Sequence, residues 1–164
     1  MSGDLVRMVF APQVGEVETE TGLGLAPKFD AAGTIAAVAT DWQTGEVLML
    51  AWMNADALSA TIRTGEAHFY SRSRKKLWKK GEESGNVLEV VEMRTDCDQD
   101  AVWMRVRLRG QEAACHTGHR TCFYRRIPVK GALVKGDAAA AQAPPLEPAG
   151  TPRLFDPKVV YGQG

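Results

Sequence analysis

The sequence predicts an α+β domain built mainly from antiparallel strands with one or two helices. Three observations lead there. Val102, Met104, Val106 and Leu108 alternate with Trp103, Arg105, Arg107 and Arg109, the period-two pattern of a strand with one core face and one cationic face. Short apolar or β-branched runs recur between Gly-containing turn signals. One stretch alone has clear helical spacing, after Asn54. A length of 164 residues suits a single domain, and 45% hydrophobic with 24% charged residues is a globular composition rather than a disordered one.

In chain order, residues 1–27 read as a mixed N-terminal lead-in, acidic from Glu16 to Glu20 and expected to pack loosely. Thr34–Thr40 and Glu46–Trp52 form a predicted hairpin about Thr44-Gly45. Asn54 is a predicted N-cap, with Ala57, Leu58, Thr61 and Ile62 at helical spacing until Gly65 stops the pattern. Ala67–Ser71, Val87–Thr95, Ala101–Arg109, Glu112–His116 and Phe123–Ile127 are the remaining predicted strands. Residues 28–128 hold every cysteine and histidine and are the expected catalytic domain. Residues 129–164 form an Ala/Pro-rich C-terminal tail, in which Leu154–Tyr161 regains apolar residues suited to docking back on the body.

Several function classes drop out early. Twenty basic and twenty acidic residues cancel, which disfavours a global polyanion binder. Val47–Met53, the longest apolar run at seven residues, is far too short to span a bilayer, so no membrane role is expected. No apolar segment of signal-peptide character follows Met1, so a cytoplasmic, reducing location is expected, with three free cysteines available for metal or catalysis.

Three clusters carry chemistry. In Asp96-Cys97-Asp98-Gln99-Asp100, an extended backbone would put three carboxylates on one side and Cys97 on the other. Like charges so close repel unless a cation sits among them, and oxygen donors suit Mg²⁺. A calcium loop of the EF-hand type starting at Asp96 fails, since Ala101 and Arg107 occupy its glycine and glutamate positions. Cys115-His116-Thr117-Gly118-His119-Arg120-Thr121-Cys122 offers two thiols across a glycine turn. With Cys97 these make three sulfurs, as in a catalytic zinc site, while His116 or His119 would complete a structural one. Arg72-Ser73-Arg74-Lys75-Lys76-Leu77-Trp78-Lys79-Lys80, followed by Gly81 and Ser84-Gly85, is a basic run with exposed backbone amides, read as a loop that traps phosphate. Arg105, Arg107 and Arg109 add to that anion reading.

Taken in series, His68-Phe69-Tyr70-Ser71-Arg72-Ser73-Arg74, Leu77-Trp78-Lys79-Lys80-Gly81-Glu82, Ser84-Gly85, Asp96–Asp100 and Cys115–Tyr124 resemble the phosphoribosyl-AMP cyclohydrolases of histidine biosynthesis. Gly45–Asn54 is similar to the hairpin that opens that family's pattern, and the resemblance spans residues 28–128. Thr121 stands where that family more often has Ser, and Glu83 where it often has Thr.

The resemblance implies an intertwined homodimer with shared zinc sites, Mg²⁺ on Asp96, Asp98 and Asp100, and zinc on Cys97, Cys115 and Cys122, with Cys97 donated across the interface. It implies hydrolytic opening of the adenine ring of 1-(5-phosphoribosyl)-AMP at N1–C6, the third step of the pathway, by zinc-activated water. His116, next to a zinc ligand, is the expected proton shuttle, with His68 and His119 as other candidates for the base. Arg72, Arg74, Trp78, Lys79, Lys80, Ser84 and Gly85 are the expected contacts to this small-molecule nucleotide.

Three rivals fit worse. A zinc-stabilised nucleic-acid module would use the basic run but leaves the aspartates idle, so no nucleic-acid partner is expected. A thiol redox protein lacks a Cys-x-x-Cys pair. A zinc deaminase needs His-x-Glu before Pro-Cys-x-x-Cys, and both are absent.

Overall fold

A computed structural model describes residues 7–129 and 143–162. Its elements are α1 (Glu16–Thr21), β1 (Ile35–Asp41), β2 (Val47–Met53), α2 (Ala55–Thr64), β3 (His68–Ser71), β4 (Lys76–Lys79), β5 (Leu88–Thr95), β6 (Ala101–Leu108), β7 (Arg125–Arg126), β8 (Glu147–Pro148) and α3 (Pro157–Tyr161). The α+β class with mostly antiparallel strands and little helix is what the alternating patterns predict.

The main sheet has the order β2-β1-β6-β5. β1/β2 and β5/β6 are antiparallel hairpins, while β1 and β6 run parallel at the centre. Parallel neighbours need a long crossover, supplied here by everything from β2 to β5. Ala37 and Ala39 on β1 are fully buried, and Met104 and Val106 of β6 and Leu48 and Met53 of β2 fill the same core. Burying each such large side chain contributes about 1.5–3 kcal/mol. Asn54 Oδ1 accepts the Ala57 N–H at 2.9 Å to start α2, and Gly65 ends it in the left-handed region at φ 70°.

The opposite face of β6 is not a free cationic surface. Arg105 pairs with Glu92 at 2.7 Å and Arg107 with Glu89 at 2.9 Å, residues that face them across the β5/β6 ladder. Arg109 also pairs with Glu89, and Trp103 Nε1 donates to Thr40 Oγ1 at 2.7 Å. Cross-strand carboxylates satisfy these arginines, which removes them from the anion reading.

The run Arg72–Lys80 is likewise not simply a loop. Its second half is β4, paired with β3 in register His68↔Lys79 to Ser71↔Lys76, with Phe69 and Trp78 ring centroids 5.1 Å apart. Charge hid a strand whose alternation is Lys76, Trp78 and Lys80 on one side, Leu77 and Lys79 on the other. Glu112–His116, expected as a strand, is a turn-rich loop. Of Phe123–Ile127, Arg125–Arg126 is strand, paired with Glu147–Pro148.

Both ends of the described chain pack on the body. In the lead-in, Met8 N donates to Ser59 Oγ at 2.9 Å and the Phe10 and Phe29 rings lie 6.3 Å apart. At the other end Leu154 N donates to the Gly118 carbonyl at 2.6 Å, Arg153 Nε donates to the Thr117 carbonyl at 2.9 Å, and Phe155 is buried. Gly118 has φ 88°, and a Cβ there would collide with the Phe155 carbonyl oxygen. The stretch predicted to dock back, Leu154–Tyr161, therefore does so, on the loop between the two cysteines. Residues 130–142 of the tail, with Ala138–Ala141, lie outside the described residues.

Candidate active site

The Cys115–Cys122 loop is tied into a compact turn. Ala114 N donates to the Arg120 carbonyl (3.0 Å), Cys115 N to that of His119 (3.1 Å) and Gly118 N to that of Cys115 (3.0 Å). Its far end is pinned to β2, where Cys122 N donates to the Leu48 carbonyl at 2.8 Å and the buried Thr121 hydroxyl to that of Val47 at 2.7 Å. Arg120 reaches back to the β1/β2 turn, 2.9 Å from both Asp41 Oδ2 and Glu46 Oε2.

The two sulfurs behave as one unit. A hydrogen bond from the Cys122 thiol and another from Thr117 Oγ1, 2.9 Å from Cys115 Sγ, pull the Cys115 thiol down to about 5. The Cys122 thiol is pushed up, chiefly by the neighbouring Cys115 sulfur and in part by desolvation. Two sulfurs that shift each other in opposite directions are close neighbours, as the donors of one soft cation must be, so this pair fits zinc. Thr117 Oγ1 also lies 3.0 Å from His119 Nδ1, and the His119 ring stacks on Tyr124 at 3.8 Å.

Beside the pair opens a cavity of about 470 Å³, within the usual range for a small-molecule site. Cys122 and His116 stand on its wall together with Arg74, Lys76, Trp78, Lys80 and Ser84. Lys80 is buried. Desolvation pushes its ammonium group down, while the nearby Cys122 and Cys115 charges act the other way.

Four of the seven expected substrate contacts, Arg74, Trp78, Lys80 and Ser84, therefore share one cavity with His116. Three stand apart. Arg72 lies over the Trp52 ring at 4.2 Å, and Lys79 points to the other side of β4, 2.5 Å from Glu66. Gly85 is held in a turn with its N–H on the Gly81 carbonyl at 2.9 Å. Among the other histidines, His68 is buried with Nδ1 2.7 Å from the Glu66 carbonyl, and His119 is engaged with Thr117 and Tyr124.

Met49, Ala114 and Tyr161 on the cavity wall carry no functional reading in the sequence. Met49 sits on an apolar strand with nothing to mark it, and Tyr161 lies 39 residues beyond Cys122. The apolar return at Leu154–Tyr161 was the one signal for the latter.

The carboxylates converge by a different route from the extended strand expected for them. Asp96–Asp100 is the turn of the β5/β6 hairpin, with Gln99 in the left-handed region at φ 61°. Gln99 is buried and holds the lead-in: its side chain accepts from Ala26 N at 2.8 Å and donates to the Gly24 carbonyl at 3.1 Å, while its carbonyl accepts from Lys28 N at 2.8 Å. This curl brings ligand oxygens of Asp96, Asp98 and Asp100 within 4.8 Å of one another. A hydrogen bond shared with Asp96 and the negative charge of Asp98 raise the Asp100 carboxyl above the ordinary range. A divalent cation would relieve that repulsion, so the triad fits Mg²⁺.

Cys97 is exposed and lines a second cleft, with Gln13, Glu16, Lys28 and Asp98. Among the described residues it does not join Cys115 and Cys122 in a three-donor group within one chain.

Comparison with known proteins adds the following. The family model for phosphoribosyl-AMP cyclohydrolase matches residues 49–124. A protein of that name from Rhodopseudomonas palustris is 55% identical over 144 residues, 88% of this chain and 90% of its own. One from Nitrobacter winogradskyi is 56% identical over 144 residues, 88% and 92% of the two chains. One from Sinorhizobium fredii is 48% identical over 153 residues, 93% and 94%.

Proposed function

The chain belongs to the phosphoribosyl-AMP cyclohydrolase family, and on that premise we propose that it hydrolyses the N1–C6 bond of 1-(5-phosphoribosyl)-AMP, opening the adenine ring at the third step of histidine biosynthesis. One observation carries the reading: a single cavity is lined by cationic side chains together with the Cys122 thiol and His116. The substrate has matching parts, anionic phosphoribosyl groups and an electrophilic purine carbon.

Arg74, Lys76 and Lys80 bind the phosphoribosyl anions, with the dry setting of Lys80 strengthening its attraction. Trp78, braced by Phe69, gives the purine a flat surface. Water oxygen adds to C6, the N1–C6 pair departs to N1, and the exocyclic nitrogen stays as a carboxamide. His116 takes a proton from that water and returns it to N1.

Cys115 and Cys122, with Cys97 of a second copy, would hold zinc, which lowers the pKa of a bound water toward neutrality. Asp96, Asp98 and Asp100 would hold Mg²⁺. The homodimer is part of the proposal, supported by the placement of Cys97 in a cleft away from the Cys115–Cys122 pair. Residues 28–128 would be the catalytic domain.

The test is ultraviolet-monitored turnover of phosphoribosyl-AMP by metal-analysed protein, before and after chelation and with Mg²⁺ restored. Ring opening that follows zinc content and needs Mg²⁺ is expected. Bound zinc and an intact dimer without turnover would overturn the reading.

A further inference from the structure

The cavity wall includes one residue from far outside the matched region. Tyr161 faces the cavity that holds His116 and Cys122, although the family match ends at residue 124. Its position is not accidental to a loose tail, because among the described residues the segment leading to it is tied down at several points. β8 pairs with β7, Ala149 N donates to the Tyr124 carbonyl at 3.0 Å, and His119 and Arg153 form a bridge. Arg153 and Leu154 then bind the carbonyls of Thr117 and Gly118.

The Phe155 carbonyl sits where Gly118 has no side chain, and the Phe155 ring packs on Tyr161 with centroids 6.1 Å apart. Asp156 Oδ1 accepts the Lys158 N–H at 3.0 Å and Pro157 opens α3, which fixes the turn that delivers Tyr161. Residues 147–161 are thus a strap over the loop that carries both cysteines.

We propose that Tyr161 is a substrate-binding residue, its ring forming a wall against the bound nucleotide, and that the strap holds it there. This rests on the ring-opening reading of the same cavity. An aromatic face offered to a purine or ribose is a typical use of tyrosine. It also gives the docked end of the tail a reason to sit on the cysteine loop rather than elsewhere.

The experiment compares the full-length wild type, Tyr161→Ala, Tyr161→Phe and Leu154→Pro, which deletes the N–H bound to Gly118. With phosphoribosyl-AMP, Tyr161→Ala should raise KM about tenfold with kcat within about twofold, the size of a lost base–aromatic contact. Tyr161→Phe should stay near wild type, since the ring makes the contact. Leu154→Pro should reproduce the KM rise and speed amide hydrogen exchange at Cys115 and Gly118, leaving β1 and β6 protected. A KM for Tyr161→Ala within about twofold of wild type would overturn the inference while leaving the ring-opening reading intact. Unchanged exchange at Cys115 and Gly118 in Leu154→Pro would overturn the strap whatever the activity. A wild type that does not turn over the nucleotide would overturn the ring-opening reading and the substrate assigned to Tyr161 with it.

Discussion

Arg120 Nη2 lies 2.9 Å from Asp41 Oδ2, joining residues 79 positions apart in the chain. The bond ties the cysteine loop to the turn after β1, and both side chains are largely shielded from water. Burial works against ionisation of Asp41, but N–H groups of Thr44 and Gln43, the Thr44 hydroxyl and Arg120 outweigh it and hold the carboxyl below its ordinary range.

Arg120→Ala should destabilise the protein by about 2 kcal/mol, the usual worth of a charge-assisted hydrogen bond, as read by urea unfolding. The pH dependence has a definite sign. A carboxyl with a lowered folded pKa contributes stability that is complete above its unfolded value, about 4, and is lost as pH falls through the folded value. Asp41→Asn should therefore unfold more easily at neutral pH yet lose less stability than wild type below about pH 4. Equal acid sensitivity in the two proteins would remove Asp41 from the account.

If the proposed zinc and Mg²⁺ sites are both real, each cluster should respond to its own substitutions. Cys122→Ser should lower zinc content from about one per chain to a small fraction, because a hydroxyl is a poor ligand for zinc. The same change should leave Mn²⁺, used as a spectroscopic stand-in for Mg²⁺, binding at the carboxylates. Asp98→Asn should do the reverse. Atomic emission and paramagnetic titration of both variants would check the separation, and a joint loss would show that the clusters are one site.

Lys79 and Lys80 are neighbours with opposite expectations. Lys80 is buried at the cavity, whereas Lys79 pairs with Glu66 on the other side of β4. Lys80→Met should lower kcat/KM about a hundredfold, as expected when a charge-assisted contact to a phosphate is lost. Lys79→Met should cost at most about 1 kcal/mol of stability, the ceiling for a surface pair, and leave kcat/KM near wild type. Steady-state kinetics on the pair decides it.

Asn54 is a purely structural test. Asn54→Ala removes the bond to Ala57 N and should lower stability by about 1 kcal/mol. Thermal unfolding should show it, with the metal content unchanged.

How much of this was legible in the sequence depended on what each residue faces. β6 was plain because one face is core and the other carries half-buried charged and aromatic side chains, and α2 because both of its caps are local in the chain. β4 was hidden, since Lys76 and Lys79 read as part of a basic loop that traps phosphate while their pairing partners, Ser71 and His68, lie in β3. Arg105 and Arg107 looked unpartnered because Glu92 and Glu89 stand opposite only once β5 and β6 are in register. The carboxylate triad and the cysteine loop were visible as short local patterns. Their shapes were not: the left-handed Gln99 and the collision-free Gly118 answer to the lead-in and to the tail. The parallel seam between β1 and β6 leaves no local trace either, because neither strand's pattern names its neighbour.

That seam also bears on the order in which a growing polypeptide can acquire its shape. β1 and β2 leave the ribosome early and can close as a hairpin on their own, but β1's second edge has no partner until β6 is made, some sixty residues later. Until then its N–H and C=O groups are open to any strand nearby, including one on a neighbouring nascent chain. Completion of the sheet falls just before synthesis of the cysteine loop. The loop therefore meets a finished β2 edge to hang from, and the strap that covers it arrives only afterwards.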